Sequence, residues 1–173
     1  MNALLVIDVQ RVLTHVGVDA ENMIHAINQA IQKTRQAGGP VIFVRHCNDS
    51  HPELTPGAAG WQLDERLMRQ ADDSVIDKTA GDAFYQTTLL ETLQEKGVTE
   101  VTVAGMQTEF CVCSTARSAV SLDFDLIFLS DAHTTLDTEW PAHQIIAHHN
   151  HTMANMSHPT RRIQVLSSSQ YTG

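Results

Sequence analysis

"EVTVAGMQTEFCVCSTARSAVS", Glu100–Ser121, decides how the chain folds. Glu100–Ala104 reads as a buried strand, and the run from about Cys111 to Ser121 reads as a helix. The turn between them carries two of the chain's three cysteines, one residue apart. They could be a nucleophile, metal ligands, a disulfide pair or small apolar core residues, and the residues on either side have to choose among these.

Working outward, strand-length apolar runs alternate with helical patterns in both directions. "ALLVID" (3–8) is a first buried strand. Ala20 to Ala37 is helical, with Met23, Ile24, Ile27, Ala30, Ile31 and Thr34 on one face. Gly38-Gly39-Pro40 stops that helix, and "PVIFVRH" (40–46) is a second strand. Cys47 to Gly60 is rich in Asn, Asp, Ser, Pro and Gly and reads as a long loop, a length that often serves function. A short helix around Leu63–Gln70 and a strand at Val75–Asp77 are expected next, followed by the irregular "DKTAGDAF" and a helix near Thr87–Lys96. Beyond the quoted stretch come the strand "DLIFLS" (125–130), a helix from about Pro141 to Asn155 and a short strand near Ile163–Leu166.

Near-continuous Val, Ile, Leu and Phe strands separated by helices predict a mainly parallel sheet covered on both faces. The expected fold is a single α/β domain over residues 1–173, three layers deep (α/β/α). Such a chain buries roughly two thirds of its unfolded surface and needs no disulfide or metal to fold. Ligands of open α/β sheets bind beyond the carboxyl ends of the strands, so chemistry should sit just after them.

The formal net charge is -9 with a pI near 5.4, and no Lys/Arg cluster is present. That balance argues against a nucleic-acid or membrane partner and suits a small neutral or cationic one. "MNALLVIDVQ" lacks a basic n-region, and an aspartate interrupts its short apolar run, so neither a signal peptide nor a membrane span is expected. A cytoplasmic setting with free thiols follows, the cysteine count being odd.

Three residues fall just after strands: Asp8, Lys78 and Cys111. Each has a plain structural reading as turn cap, solvated lysine or buried thiol. Together they supply what nucleophilic catalysis needs. A helix N-terminus and a nearby ammonium would lower the thiol pKa, and a carboxylate could take the thiol proton and return it to a leaving group. The turn could offer backbone donors to an oxyanion. Cys113, about 200° further round a helix, should point away into the core.

"GMQTEFCVCSTARSAV" resembles the G-x-x-T-x-x-C-V-x-x-T-A segment of the isochorismatase-like cysteine hydrolases, "LLVIDVQ" resembles their first strand ending in D-x-Q, and "VIDKTAGDAF" their K-x-x-x-x-x-F stretch. The resemblance runs from about residue 3 to 155. It implies an Asp8–Lys78–Cys111 triad with Asp8 as base, Lys78 supporting thiolate and oxyanion, and Cys111 forming a covalent acyl-enzyme that water hydrolyses. It also implies a cis peptide at Met106–Gln107, an oxyanion hole from the N–H groups of Gln107 and Cys111, and Thr108 as a brace for that turn. By position, Gln10, Trp61, Phe84, Tyr85 and Glu109 are candidates for the substrate-binding wall. Family habit implies a homo-oligomer, a dimer or tetramer.

Nicotinamidase-like members hold a divalent metal through Asp-x-His, which Asp49-x-His51 resembles. Asp49 lies too far beyond the second strand and no histidine falls between His51 and Lys78, so no metal or other cofactor is expected. In "HQIIAHHNHTM" (143–153), His143, His148, His149 and His151 lack i, i+4 spacing and read as surface residues or a structural hydrogen bond. An AHHN stretch also marks a branch typified by streptothricin hydrolase.

A cysteine-dependent hydrolase of a small molecule is therefore expected, most plausibly at a non-peptide amide, lactam or carbamoyl C–N bond. Isochorismate chemistry breaks a vinyl ether by protonation and needs no thiol. A nucleotide-binding protein would want a glycine-rich turn after the first strand, which "VIDVQRVLTHVG" lacks. A non-catalytic binding protein on the same fold stays open. A redox C-x-C pair is disfavoured because the two thiols diverge.

Overall fold

The computed structural model describes residues 1–173. Strands β1 (Asn2–Ile7), β2 (Val41–His46), β3 (Ser74–Lys78), β4 (Glu100–Met106), β5 (Asp125–Thr134) and β6 (Ile163–Leu166) form one sheet in the order β3-β2-β1-β4-β5-β6. Every neighbouring pair is parallel. Because side chains alternate along a strand, β1 feeds both faces: Leu5 and Ile7 on one, Leu4 and Val6 on the other. Helices α3 (Leu89–Glu95), α4 (Cys113–Ser121) and α5 (Ala142–Ala154) pack Leu93, Ala116 and Met153 against the first face. Helix α2 (Ala20–Gln36) covers the second with Met23, Ile24, Ile27 and Ile31, so the three-layer α/β/α expectation holds.

The chain leaves β1 for β2 and β3 on one side and returns to β4 on the other. Strand order therefore reverses between β1 and β4, and a crevice opens beyond their carboxyl ends. Asp8 follows β1 there with φ of 52°, a left-handed conformation that a non-glycine residue rarely adopts without a local reason.

Two local expectations give way, and one element forms that the sequence reading did not include. Leu63–Gln70 forms no helix: Asp64 instead bonds the Arg66 backbone N–H and the Thr14 hydroxyl, and Asn28 clamps Arg66 O and the Met68 N–H. Such side-chain bonds to the backbone compete with helical ones. Conversely, Arg11–Val16 forms α1, whose six residues are too few to show periodicity. The third difference lies after β4, where Thr108–Val112 forms a π-helical turn before α4, so Cys111 sits in that turn and not in the first turn of an α-helix.

That turn is braced from beneath. β5 runs four residues beyond the expected end, past an irregularity in its pairing with β4, and brings His133 opposite Gly105. The buried Thr108 hydroxyl meets His133 Nδ1 at 2.8 Å, and His133 Nε2 meets Asn150 Oδ1 at 3.0 Å. Asn150 Nδ2 in turn donates to Ser130 O at 3.0 Å. Since Asn150 Oδ1 can only accept, the proton belongs on Nε2 and the Thr108 hydroxyl donates to Nδ1. Burial pushes the His133 pKa down to about 4. Gly105, at φ of 125°, lies so close to β1 that a Cβ would stand 1.9 Å from Ile7 O.

Two outcomes follow. Gly105→Ala must part β1 from β4 or rotate the backbone, and urea unfolding should show a loss of about 3 kcal/mol or more. Folded His133 stays neutral until about pH 4, whereas in the unfolded chain it takes a proton near 6.5, so its contribution to stability is present above 6.5 and lost as pH falls to 4. The stability difference between wild type and His133→Gln should shrink by roughly 3 kcal/mol across that window.

Candidate active site

Lys78 closes β3 with its side chain wholly buried, pointing under the β1–β4 crevice. Its Nζ lies 2.7 Å from Asp8 Oδ2, 3.2 Å from Cys111 Sγ, 2.9 Å from Ala80 O and 3.2 Å from His46 Nδ1. An ammonium has three protons to donate, and a carboxylate, a carbonyl and a sulfur or ring nitrogen take them. The three residues expected from sequence thus meet around one nitrogen. Asp8 Oδ1, buried, has no hydrogen-bond partner and remains free to accept a proton.

The electrostatics of this cluster differ from the expectation. Burial raises the Asp8 pKa in spite of Lys78. Burial pulls Lys78 down, but the Asp8 charge and the hydrogen bonds to Asp8 and Cys111 outweigh it, and the ammonium is held more firmly than in water. Cys111 was expected to be acidified, yet burial, with the Asp8 charge added, pushes its thiol up to about 12. The reason is the charge count: Lys78 and Asp8 already neutralise one another, so a thiolate would add an uncompensated negative charge at a half-buried position. The resting form is a neutral thiol beside a carboxylate of increased basicity.

His46 completes the cluster and was not singled out from the sequence, although it ends a strand as Asp8 and Lys78 do. Burial and the Lys78 charge lower its pKa, which keeps Nδ1 an acceptor for the ammonium. A cavity of about 230 Å³ opens over these groups, lined by Asp8, His46, Gln107, Cys111 and the apolar Leu13, Leu54 and Phe110. Leu54 comes from the short 3-10 turn Pro52–Leu54 inside the long loop, which therefore does form part of the wall. The Met106–Gln107 peptide is cis, as the resemblance implied.

The other wall candidates stand elsewhere. Gln10 is fully buried, its amide donating to His46 O and Trp61 O and accepting from His46 N, so it ties the loop to β2 and has nothing left for a ligand. Trp61 donates to Cys47 Sγ and lies under the Arg45 guanidinium, 3.6 Å from the ring centroid. Phe84 stacks on Phe124, and Tyr85 faces solvent. Glu109 borders a second, neighbouring cavity. Cys113 is buried in the core among α4 and β4 residues, as expected.

Asp49 and His51 are exposed on the loop after β2. Asp8, His46 and Cys111 do bring their ligand atoms within 4.8 Å of one another, but the Lys78 ammonium contacts all three and fills the place a cation would need. The donor set therefore does not fit a metal. No helix is long and apolar enough to cross a membrane.

Comparison with known proteins agrees with this architecture. The family model described as the isochorismatase domain matches residues 2–160. Streptothricin hydrolase of Streptomyces noursei is 32% identical over 142 residues, covering 79% of this chain and 56% of that protein. Nicotinamidase 3 of Arabidopsis thaliana is 30% identical over 151 residues, covering 79% of this chain and 75% of that one. A crystal structure of an isochorismatase family protein superposes with a TM-score of 0.84 at 36% identity, covering 96% of this chain and 98% of the other. The chain spans little more than half the length of the streptothricin hydrolase it matches. With a parallel α/β sheet and a family-model match over nearly its whole length, the chain belongs to the isochorismatase family of hydrolases.

Proposed function

We propose that the protein hydrolyses a carbon–nitrogen bond of a small non-peptide amide, lactam or carbamoyl compound through a thioester on Cys111. The observation that carries this reading is the single buried ammonium held between Asp8 Oδ2 at 2.7 Å and Cys111 Sγ at 3.2 Å. Names among the relatives, streptothricin hydrolase and nicotinamidase, point to hydrolysis and to amide substrates. A vinyl-ether reaction by protonation alone would leave the Cys111 thiol without work.

Because the thiol rests protonated, attack and proton transfer go together. Asp8 takes the proton from Sγ as sulfur bonds to the carbonyl carbon, and the carbonyl electron pair moves to oxygen. The backbone N–H groups of Gln107 and Cys111 receive that oxyanion, with the Lys78 charge beneath. Collapse breaks the carbon–nitrogen bond, and protonated Asp8 gives its proton to the leaving nitrogen. Water then attacks the thioester, Asp8 again takes a proton, and the acid leaves as Sγ regains one. Leu13, Leu54 and Phe110 limit water around the centre, so the charges act in a low dielectric.

The raised thiol pKa makes a specific test. Iodoacetamide should label wild-type Cys111 slowly at pH 8, with the rate still rising above pH 10. Asp8→Asn removes a negative neighbour while leaving the ammonium, so labelling at pH 8 should speed up, whereas amide hydrolysis should fall by about 10² to 10⁴. Cys111→Ser should abolish acyl-enzyme formation in intact-protein mass spectrometry, and Cys113→Ala should retain it. An Asp8→Asn variant that hydrolyses amides at the wild-type rate would rule out this mechanism.

A further inference from the structure

A second cavity of about 640 Å³ adjoins the first, the two sharing Phe110. Glu109, two residues before Cys111, is part of its lining. Glu109 Oε1 accepts from the Thr135 hydroxyl at 2.9 Å, while Oε2 lies just beneath the surface with no partner, so that a turn of the half-exposed carboxylate brings it to the groove. A carboxylate oxygen left so is costly unless a donor or cation completes it. No lysine or arginine borders the cavity.

Its walls suit a cation in two further ways. Trp140 and Phe110 are 65% and 58% exposed, large rings at the edge of the cavity whose faces attract an ammonium. His149 Nδ1 lies 2.9 Å from Ile145 O and must donate to it, so neutral His149 keeps Nε2 as an acceptor. A half-satisfied carboxylate, a ring nitrogen lone pair and aromatic faces in one concave site concentrate negative potential, in a chain of net charge -9.

We propose that this groove is a subsite for a cationic amine on the substrate, so that the compound carries an ammonium arm in the Glu109–Trp140 groove while its amide carbonyl reaches Cys111. The assignment of the arm rests on the reading of Cys111 as the hydrolytic centre, because Phe110 is the wall both ends would share. Glu109 acts here as a binding residue, with no part in proton transfer.

The test separates the two claims. Binding of 6-aminohexanamide and of heptanamide, which differ in an ammonium against a methyl, is measured by titration calorimetry on Cys111→Ala, where turnover is blocked. The ammonium amide should bind at least about tenfold more tightly. Adding Glu109→Gln should remove that preference and leave heptanamide binding within about twofold, and Trp140→Ala, a change at an exposed side chain, should reduce it. Equal affinities, or a preference that survives Glu109→Gln, would overturn the subsite. Ammonia release by the wild type is read separately. Preference without release or acyl-enzyme would keep the groove and overturn the hydrolytic reading of Cys111, and release without preference would do the reverse.

Discussion

A lysine ammonium buried at the carboxyl edge of a parallel sheet is the constraint on which the rest of the site depends. Lys78 is inserted from β3, two strands away from β1, and survives there only because Asp8 neutralises it and Ala80 O and His46 Nδ1 take further protons. Removing either charge would leave the other unpaired in a dry interior, a change that commonly costs several kcal/mol. The pair therefore fixes the distance between the ends of β1 and β3, and Cys111 is presented beside it.

The same pair decides how the thiol can react. A lone ammonium would favour thiolate, and a lone carboxylate would oppose it. Together they cancel, and burial then holds the proton on sulfur. In the proposed mechanism the work passes from the resting thiol to Asp8, since burial makes Asp8 a stronger proton acceptor than a solvated aspartate.

Support for the turn that carries Cys111 comes from further away. Gly105 lets β4 lie against Ile7 without a side chain between them, and the Thr108–His133–Asn150 chain ties the turn to β5 and α5. α5 thus holds the brace with Asn150 while presenting His149 and Ile145 to the outer groove. One helix serves both the rigidity of the centre and the wall beside it, which explains why its polar residues did not follow a metal-binding spacing.

The sequence by itself determined the layering and the chemical groups. Alternation of buried strands and helices yields a parallel sheet because strands covered on both faces must be apolar throughout, and residues after such strands must gather at one edge. Asp8, Lys78 and Cys111 were legible for that reason, and His46 would have been under the same test. Tertiary structure decided what depends on the sum of several charges and on loop packing. The direction of the Cys111 pKa shift needed the distances to both Lys78 and Asp8 together with burial. The roles of Gln10, Trp61 and Glu109 depended on where the 47–64 segment and α5 come to rest, and Asp64 and Asn28 set the former through side-chain hydrogen bonds that leave no periodic trace.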